Sequence, residues 1–276
     1  MDAQKIRAFA LRMRRMIIEM SHQCNMSAHL GGGLSMVEIN AVLFGAIMRL
    51  DPKNPRWTDR DRYILSKGHG VLGYFSALHA VGFISAEKLK TFLQNESDLI
   101  AHPVMNMEFG IESSNGSLGH GLSMAVGVAL AAKRHRQAYH IYVLLGDGEC
   151  NEGAVWEAMM LAAQYQLDNL TAIVDMNGYQ SDGKTERVIN LKNMADRWRQ
   201  FGWHVQEVDG HDIDNLYQAF CSCTLADQPH VVIARTVKGK GISFMENNND
   251  WHHARLTKNW YEQAVMELDG KTSCST

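Results

Sequence analysis

The architecture follows most directly from HIYVLLGDGECNEG, residues 140–153. Its first six residues, His140–Leu145, form a nearly continuous apolar run, which is typical of a strand buried on both faces of a parallel sheet. A turn with two glycines and an aspartate follows at once, and the apolar spacing over 152–166 predicts a helix. A buried strand that passes through a tight turn into a helix indicates an α/β fold.

The same alternation of strands and helices extends over most of the chain. The other candidate strands are Arg62–Leu65, Leu170–Asp175, Trp203–Val208 and His230–Val237. Further helical patterns lie at 70–81, 86–94, 119–135, 193–201, 212–223 and 256–268. We therefore predict one domain over residues 1–276, an α/β fold with an open, mostly parallel sheet and helices on both faces.

Two helices are predicted before the first strand. Residues 3–20 place apolar side chains among arginines at helical spacing, which predicts an amphipathic helix. A capping box, Ser35-x-x-Glu38, predicts that a second helix begins at Ser35 and continues along the apolar run to Met48.

Composition and charge exclude several classes of protein. The 276 residues carry 27 Lys and Arg against 30 Asp and Glu, a formal charge of −3, so we expect no nucleic-acid partner and no binding to anionic membranes. No window approaches about 18 consecutive apolar residues, so a membrane span is not expected. The five cysteines lack CxxC spacing, which argues against structural zinc and a disulfide framework. The first residues lack the apolar core of a signal peptide, and we expect a cytoplasmic protein.

Glycine-rich and polar segments follow the strands at the point where each strand ends. These segments are Ser66–Gly70, Gly146–Gly153, Asp175–Tyr179, Asp209–His211, and Lys238–Gly241 with Trp251–His253. The carboxyl ends of parallel strands share one edge of a sheet, and ligands bind beyond that edge. Glycines, cations, histidines, a carboxylate and an amide converge there, which favours an anionic ligand held with a divalent metal ion.

Asp147 and Asn177 are the central residues of this predicted site. The 28 residues between Gly148 and Asn177 leave room for one helix and one strand, so both side chains arrive at the same edge. A carboxylate and an amide oxygen suit a hard cation, and Gly148 lets a backbone N–H approach a phosphate. A helix that starts near Asn151 would add its positive N-terminal end.

Three other interpretations of this segment are weaker. The sequence GxxxxGK[ST] does not occur, which argues against a P-loop, and Asn151 stands where the dinucleotide fingerprint requires a third glycine. Asp147 could instead only cap the following helix, but Asn177 and the flanking glycines would then have no explanation.

Gly146-Asp147-Gly148, followed after 28 residues by Asn177, resembles the thiamine diphosphate motif. Other segments narrow the resemblance to the transketolase family, in matching order and at approximately matching spacing. These segments are Ser27–Gly32 (its S-G-H-P-G segment), Leu65–His69 (its L-S-x-G-H loop), Ala101–Pro103 and Gly116–Gly119. The resemblance covers residues 5–255 approximately, and it implies the thiamine diphosphate-binding fold.

The resemblance also implies a cofactor, a metal ion and the residues that bind them. Mg²⁺ or Ca²⁺ would be held by Asp147, Asn177 and the main-chain carbonyl of Tyr179. Thiamine diphosphate would be contacted by His69, Gly116, Ser117, Leu118, Gly148, Asn177, Lys238 and His252. The channel histidines that handle the protons of substrate hydroxyls would be His29, His69, His102 and His252. Glu152 and Glu157 resemble acidic residues near the subunit interface that connect paired active sites.

An activity and a partner follow from the same resemblance. Family members transfer a two-carbon ketol unit from a ketose to an aldose, and sugars that carry a phosphate or a similar anion are the expected donors. Whole transketolases are well over twice as long, so the chain resembles the N-terminal subunit of a split transketolase. We expect it to be inactive alone and to work in an α2β2 heterotetramer with a separately encoded pyrimidine-domain (C-terminal) subunit.

Several residues depart from the family pattern. Leu30 replaces a proline, His120 stands where glutamine is frequent, and His253 stands where glycine is usual. Ser181 and Lys238 lie in stretches where apolar contacts to the cofactor are expected. These departures bear on the substrate more than on the cofactor, and they are consistent with an unusual donor or acceptor.

Two alternatives stay open beside the split transketolase. One is a component of another thiamine diphosphate enzyme, such as a deoxyketose-phosphate synthase or a 2-oxo acid dehydrogenase. His29, His69 and His102 in transketolase register argue against the dehydrogenase. The other is a non-catalytic protein that retains the fold, against which the intact pair Asp147 and Asn177 argues.

Overall fold

A five-stranded sheet, with every neighbouring pair of strands parallel, forms the centre of the computed structural model. The structure describes residues 1–223 and 226–273, so Cys274 lies outside the described residues. The strands are β1 Ser27–Ala28, β2 Arg62–Leu65, β3 Ile141–Gly146, β4 Leu170–Met176, β5 Tyr179–Gln180, β6 Gly183–Lys184, β7 His204–Asp209, β8 His230–Arg235 and β9 Ala254–Arg255. The order in the large sheet is β2-β3-β4-β8-β7. The predicted strands and the parallel sheet are therefore confirmed, with ends that differ by at most two residues.

Helices cover both faces of this sheet. They are α1 Ala3–Gln23, α2 Leu30–Ser35, α3 Val37–Val42, α4 Val71–Val81, α5 Ala86–Leu89, α6 His120–Arg134, α7 Gly153–Gln164, α8 Thr185–Val188, α9 Met194–Gln200, α10 Ile213–Cys221 and α11 Lys258–Ser273. The helix predicted at 86–94 is shorter than expected, because it ends at Leu89. None of the helices in the described ranges is long and apolar enough to cross a membrane.

Alternate residues of the buried strands build two separate apolar layers. Along β3, Leu144 packs with α1, α4 and α10, whereas Val143 and Leu145 pack with α6, α7 and α9. Side chains of a strand alternate between its faces, so a strand covered on both sides must be apolar throughout. The continuous run at 140–145 is the sequence signature of this arrangement, and it fixes the positions of the loops that follow.

The predicted capping box at Ser35 is wrong. Ser35 is the last residue of α2, and its hydroxyl lies 3.1 Å from Gly32 O and 2.6 Å from Asp175 Oδ2, both of them acceptors. Glu38 lies inside α3 and forms an ion pair with Arg14. Both side chains have found tertiary partners, which compete with the local hydrogen bonds of a helix start.

Two short ribbons add to the carboxyl edge of the large sheet. Strands β1 and β9 pair antiparallel, and β5 and β6 form a hairpin directly after Asn177. The hairpin covers Asp147, because Thr185 at its end donates to that carboxylate. The carboxyl edge is thus enclosed by backbone from distant parts of the chain.

Candidate functional site

Asp147 lies at the carboxyl end of β3, where the register pairs Gly146 with Asp175 of β4. Its side chain is only 3% exposed and accepts hydrogen bonds from Gly148 N at 2.9 Å, Gly178 N at 2.9 Å and Thr185 Oγ1 at 3.0 Å. Burial raises the pKa of Asp147 to about 6, and the neighbouring Asp175 carboxylate adds to the shift. A buried carboxylate with a raised pKa is held in a position that a cation would stabilise.

Asn177 and Asp147 line the same cavity at the carboxyl edge of the sheet, as the sequence predicts. Its Nδ2 donates to Asp175 Oδ2 at 3.2 Å, and its Oδ1 accepts from Tyr179 N at 3.1 Å. Within the described ranges no three His, Cys, Asp or Glu side chains come together as metal ligands. Any cation at this place would therefore depend on a mixed set of carboxylate, amide and carbonyl oxygens.

Gly148 and Gln180 face each other closely at this edge. A Cβ atom on residue 148 would stand 2.6 Å from Gln180 Cγ, so only glycine fits. The Nε2 atom of Gln180 is buried and has no hydrogen-bond partner in the described protein. A buried donor that lines a pocket is expected to meet a ligand, because an unsatisfied buried polar group is costly. Gln180 was not predicted from the sequence, since no motif pointed to it.

Asp175 links three of the site loops, and it too was missed. It is fully buried and accepts from Lys67 Nζ, Ser35 Oγ and Thr236 Oγ1. Burial by itself would raise the pKa of Asp175, but Lys67 and these hydrogen bonds outweigh it and hold the pKa below its usual value. Lys67 in turn donates to Gly32 O at 2.8 Å. The pair is therefore internal scaffolding that fixes the loops around it.

Glu149 positions the loop that contains Gly116, Ser117 and Leu118. It is buried, and its carboxylate accepts from Gly119 N at 2.8 Å, Gly146 N at 3.0 Å and Ser66 Oγ. Burial raises the pKa of Glu149. The only sequence signal was its place directly after Gly146-Asp147-Gly148, which did not distinguish it from a surface residue.

The predicted channel histidines do come together. The ring centroid of His29 lies 5.3 Å from His69, 5.4 Å from His252 and 6.1 Å from His102. His253, identified in the sequence only as a departure, is nearer still, with ring centroids 4.5 Å apart. His29 therefore stands in a cluster of five imidazoles, two of which, His69 and His252, line the same cavity.

The four predicted channel imidazoles are neutral near pH 7. Burial lowers the pKa of His29 to about 3, and the neighbouring histidines add to this shift. Burial lowers the pKa of His252 to about 4, and the nearby charge of Lys238 adds to that shift. Burial also lowers the pKa of His102 and takes that of His69 well below its usual value. A neutral imidazole both donates and accepts a hydrogen bond, which suits contacts to sugar hydroxyls.

Lys238 is not a solvated loop residue. It is 1% exposed, and its Nζ donates to Asn249 Oδ1 at 2.7 Å and His252 Nδ1 at 2.7 Å. The second bond places the remaining ring proton of His252 on Nε2. Burial lowers the pKa of Lys238 to about 8, and Lys67 adds to this effect.

A cavity of about 120 Å³ lies between the Asp147–Asn177 pair and the imidazoles of His69 and His252. Its lining residues are Lys67, His69, Leu118, Gly146, Asp147, Gly148, Glu149, Asn177, Tyr179, Gln180, Ser181 and His252. Ser117 and His120 line a neighbouring cavity instead, and Leu30 is fully buried. Glu152 and Glu157 are exposed on the outer surface.

The loop after β7 does not reach this cavity, although its place in the sequence suggested it. His211 Nδ1 bonds to Glu38 Oε2 at 2.9 Å, and its Nε2 accepts from Val237 N at 2.8 Å. His211 thus supports the segment before Lys238 and does not line the site. The α-helical N-terminus expected near Asn151 also begins later, at Gly153, after a 3₁₀ turn.

Comparisons with known proteins agree with this geometry. A family model described as "Transketolase, thiamine diphosphate binding domain" matches residues 6–269. The chain is 43% identical, over 92% of its length and 90% of the relative, to one subunit of the apulose-4-phosphate transketolase of Phocaeicola vulgatus. It is 42% identical to a 6-deoxy-6-sulfo-D-fructose transketolase subunit of a Clostridium species, over 87% of this chain and 88% of that relative.

Solved transketolases have the same fold but are longer. The crystal structure of transketolase from Campylobacter jejuni superimposes with a TM-score of 0.90 at 31% identity. The match covers 98% of this chain and 43% of the Campylobacter chain. The chain therefore belongs to the transketolase family of transferases, and over nearly its whole length it corresponds to relatives that are named as transketolase subunits.

Proposed function

We propose that this chain is the diphosphate- and metal-binding subunit of a two-subunit, thiamine diphosphate-dependent transketolase. The complex would transfer a two-carbon ketol unit from a ketose donor to an aldose acceptor. One observation supports this most strongly. In a chain of this family, the Asp147–Asn177 pair shares one cavity with His69, His252 and Gln180, whose Nε2 has no partner among the described residues.

The residues present fit thiamine diphosphate. Gln180 Nε2 is a buried donor without a partner in the described protein, and Lys238 supplies positive charge. The N–H of Gly148, expected from the sequence to approach a phosphate, donates to Asp147 Oδ1 instead. His69, His252 and Asn177 would complete the contacts to the diphosphate, and Gly116, Ser117 and Leu118 would lie against the rings. When bound, the cofactor supplies an electron sink that allows a carbon–carbon bond beside a carbonyl to break.

A divalent cation, Mg²⁺ or Ca²⁺, would be held by Asp147, Asn177 Oδ1 and the carbonyl of Tyr179. All three ligands are oxygens, as both ions prefer. A cation would also favour the ionised form of Asp147, whose pKa burial raises to about 6. Charge neutralisation of the carboxylate and the diphosphate is then shared by the cation and by Lys238.

His29, His69, His102 and His252 would hold the substrate hydroxyls and move their protons. Because burial lowers the pKa of these imidazoles, His29, His69 and His102 can each accept a proton from one hydroxyl and donate to another without a net charge in the site. His252 would act as a hydrogen-bond donor only, because Lys238 occupies its Nδ1 and leaves an N–H on Nε2.

The activity requires a second polypeptide. The chain covers 90% and 88% of two relatives that are named as subunits, whereas it spans 43% of the Campylobacter transketolase. We propose an α2β2 heterotetramer of this chain with a separately encoded pyrimidine-domain subunit. Glu152 and Glu157, both exposed in this chain, would lie at a contact between subunits that connects the paired sites.

The donor is proposed to carry an anionic group. One relative is named for a phosphorylated sugar and another for a sulfonated one. Such ions do not cross membranes unaided, which supports a cytoplasmic location for the complex.

The test is calorimetric titration of thiamine diphosphate with Mg²⁺ into the chain alone and into its mixture with the product of a neighbouring reading frame. Tight, metal-dependent binding only in the mixture, followed by ketol transfer from a sugar phosphate, supports the proposal. Tight binding by the lone chain would contradict the split site. A mixture that binds the cofactor but makes a deoxyketose phosphate would favour the synthase alternative.

A further inference from the structure

The turn after β7, Asp209-Gly210-His211, packs against the chain that follows β8. Asp209 Oδ1 accepts a hydrogen bond from His211 N at 2.8 Å, which fixes the turn. A Cβ atom on Gly210 would stand 2.4 Å from Thr236 Cγ2, so only glycine allows the two segments to approach this closely. The turn therefore places the His211 ring beside the stretch of chain that leads to Lys238.

His211 is bonded at both ring nitrogens. Its Nε2 accepts from Val237 N at 2.8 Å, and its Nδ1 lies 2.9 Å from Glu38 Oε2. Because a backbone N–H can only donate, Nε2 carries no proton, and the ring proton is on Nδ1, from which it is donated to Glu38. The ring thus ties the backbone just before Lys238 to helix α3.

The Glu38 carboxylate anchors this contact on the side of the helices. It is buried, and its other oxygen, Oε1, forms the ion pair with Arg14 of α1. Burial alone would raise the pKa of Glu38, but the charge of Arg14 and the bond from His211 outweigh it and hold the pKa below its usual value. Glu38 is therefore ionised near pH 7 and has one oxygen for each partner.

Arg14 also holds the chain beyond Lys238, because its Nε donates to Lys240 O at 3.1 Å. Glu38 links Arg14 to His211, and we call these three residues the brace. The brace contacts the backbone one residue before and two residues after Lys238. The three brace residues do not line the cavity of the site, so any effect on the site has to pass through Lys238.

Lys238 transmits the position of this backbone into the site. Its Nζ donates to Asn249 Oδ1 and to His252 Nδ1, both at 2.7 Å. Hydrogen bonds weaken steeply when their geometry is disturbed, so a shift of the backbone at Val237 would weaken both of them. Without the bond at Nδ1, His252 could carry its ring proton on either nitrogen.

We propose that the brace is a positioning unit, which holds Lys238 where its ammonium group orients His252 and meets the diphosphate of the cofactor. The part of this inference that concerns the diphosphate rests on the proposed function, whereas the part that concerns His252 does not. Arg14, Glu38 and His211 would be positioning residues that touch neither cofactor nor substrate.

Asparagine and glutamine at position 211 separate the two bonds of the ring. The amide of asparagine takes the place of Nδ1 and keeps a donor for Glu38, whereas the amide of glutamine reaches the place of Nε2 and keeps an acceptor for Val237 N. If His211 only supported Glu38, His211→Asn would be the milder change. If His211 positions Lys238, His211→Gln is the milder change.

The first readout is the tautomer of His252, measured by NMR from the imidazole nitrogen shifts of the full chain at pH 7 without cofactor. The spectrum of His252→Gln identifies the signal. The wild type and His211→Gln should show one tautomer, with the proton on Nε2, and His211→Asn should show a mixture of both. A role of His211 in stability alone would leave this signal unchanged.

The second readout is the affinity of the complex with its partner for thiamine diphosphate with Mg²⁺, measured by calorimetric titration. His211→Asn should weaken this affinity roughly 10-fold, because Lys238 is displaced, and His211→Gln should stay within about 3-fold of the wild type. Glu38→Gln offers one oxygen to two donors and should move both readouts in the direction of His211→Asn. It replaces that variant in the test if His211→Asn does not fold.

His79→Gln is the matched control. His79 is half-buried, as His211 is, and its Nδ1 lies 2.7 Å from the backbone oxygen of Ile84 at the end of α4. The variant removes a comparable bond between an imidazole and a loop. It should change neither the His252 signal nor the cofactor affinity.

Two results would overturn the proposal. One is a His211→Asn chain that matches the wild type in the His252 signal and in cofactor affinity. The other is a His211→Gln chain that loses as much as His211→Asn, because the bond to Val237 N would then not be the one that matters. If the wild-type complex binds no cofactor, the proposed function fails, and the His252 signal alone decides whether the brace positions Lys238.

Discussion

Two regions near the site differ in how firmly they are held. Asp147, at what we call the inner end, is 3% exposed and accepts three hydrogen bonds. At the outer end, Arg255 is exposed on the two-residue strand β9 and His253 is exposed just before it. The inner residues follow directly from buried strands of the parallel sheet. The outer ones lie on a short ribbon with little packing around it. Under the proposed function, the cofactor would be held by residues that the fold itself fixes, whereas residues at the exposed ribbon could change with small effects on stability.

The largest effect is expected from Asp147→Asn, which keeps the size of the side chain and removes its charge. The affinity of the complex for thiamine diphosphate with Mg²⁺ should fall at least ~100-fold, because loss of even an outer partner of a metal ligand costs about 10–100-fold. Calorimetric titration measures this directly. Asp168→Asn, which removes a surface partner of Lys133, should leave the affinity within about 2-fold. Unchanged affinity in Asp147→Asn would remove Asp147 from the metal site.

The second effect is on stability and comes from Glu149→Ala. The change leaves Gly119 N, Gly146 N and Ser66 Oγ without their buried acceptor. We expect the free energy of unfolding to fall by about 2 kcal/mol in urea titration, since lost buried hydrogen bonds outweigh relief of a buried charge. Glu19→Ala, at an exposed position of α1, should stay within about 0.5 kcal/mol. A loss as small as that of Glu19→Ala would mean that the inner end is not held by Glu149.

A smaller effect on the free energy of unfolding, and one that depends on pH, is expected from Lys238. Burial lowers its pKa to about 8 from 10.5, so between these values the unfolded chain binds the proton that the folded chain has released. The contribution of Lys238 to stability therefore rises as the pH increases from 8 towards 10.5, and it is lost as the pH falls through 8. Urea titrations between pH 7.5 and 9.5 should show a rise of about 1 kcal/mol that Lys238→Met lacks.

Lys240→Met is the matched control for this pH dependence. Lys240 is half-buried in the same loop and pairs with Glu246 at 3.5 Å. Its variant should keep the rise seen in the wild type. If Lys238→Met also kept the rise in stability with pH, a group other than Lys238 would have to release the proton on which that rise depends.

The sheet and the position of Asp147 and Asn177 could be predicted because one local pattern determined each of them. The buried runs at 140–145 and 170–175 required a sheet covered on both faces, and parallel strands then had to bring Asp147 and Asn177 to one edge. The histidines followed from the family resemblance, because their positions depend on loops whose geometry no local pattern encodes.

The missed residues are those whose partners are far away in the sequence. Asp175 joins Lys67, Ser35 and Thr236, and nothing near any of these residues in the sequence indicates the others. The capping box at Ser35 failed for the same reason, since the hydroxyl is used by Asp175. Gln180 was missed because no sequence motif marks it. Only the structure shows that its buried Nε2 has no hydrogen-bond partner within the described protein.

The smallest effect on the fold is expected from His253→Ala at the outer end. Because His253 is exposed, the free energy of unfolding should stay within about 0.5 kcal/mol and the cofactor affinity within about 2-fold. Its ring lies against His29, so the KM of the donor should still rise by roughly 3- to 10-fold, the cost of one neutral hydrogen bond. His135→Ala, after the last turn of α6, should change neither quantity. A stability loss comparable with that of Glu149→Ala would place His253 with the packed inner end, and the distinction between the two ends would no longer hold.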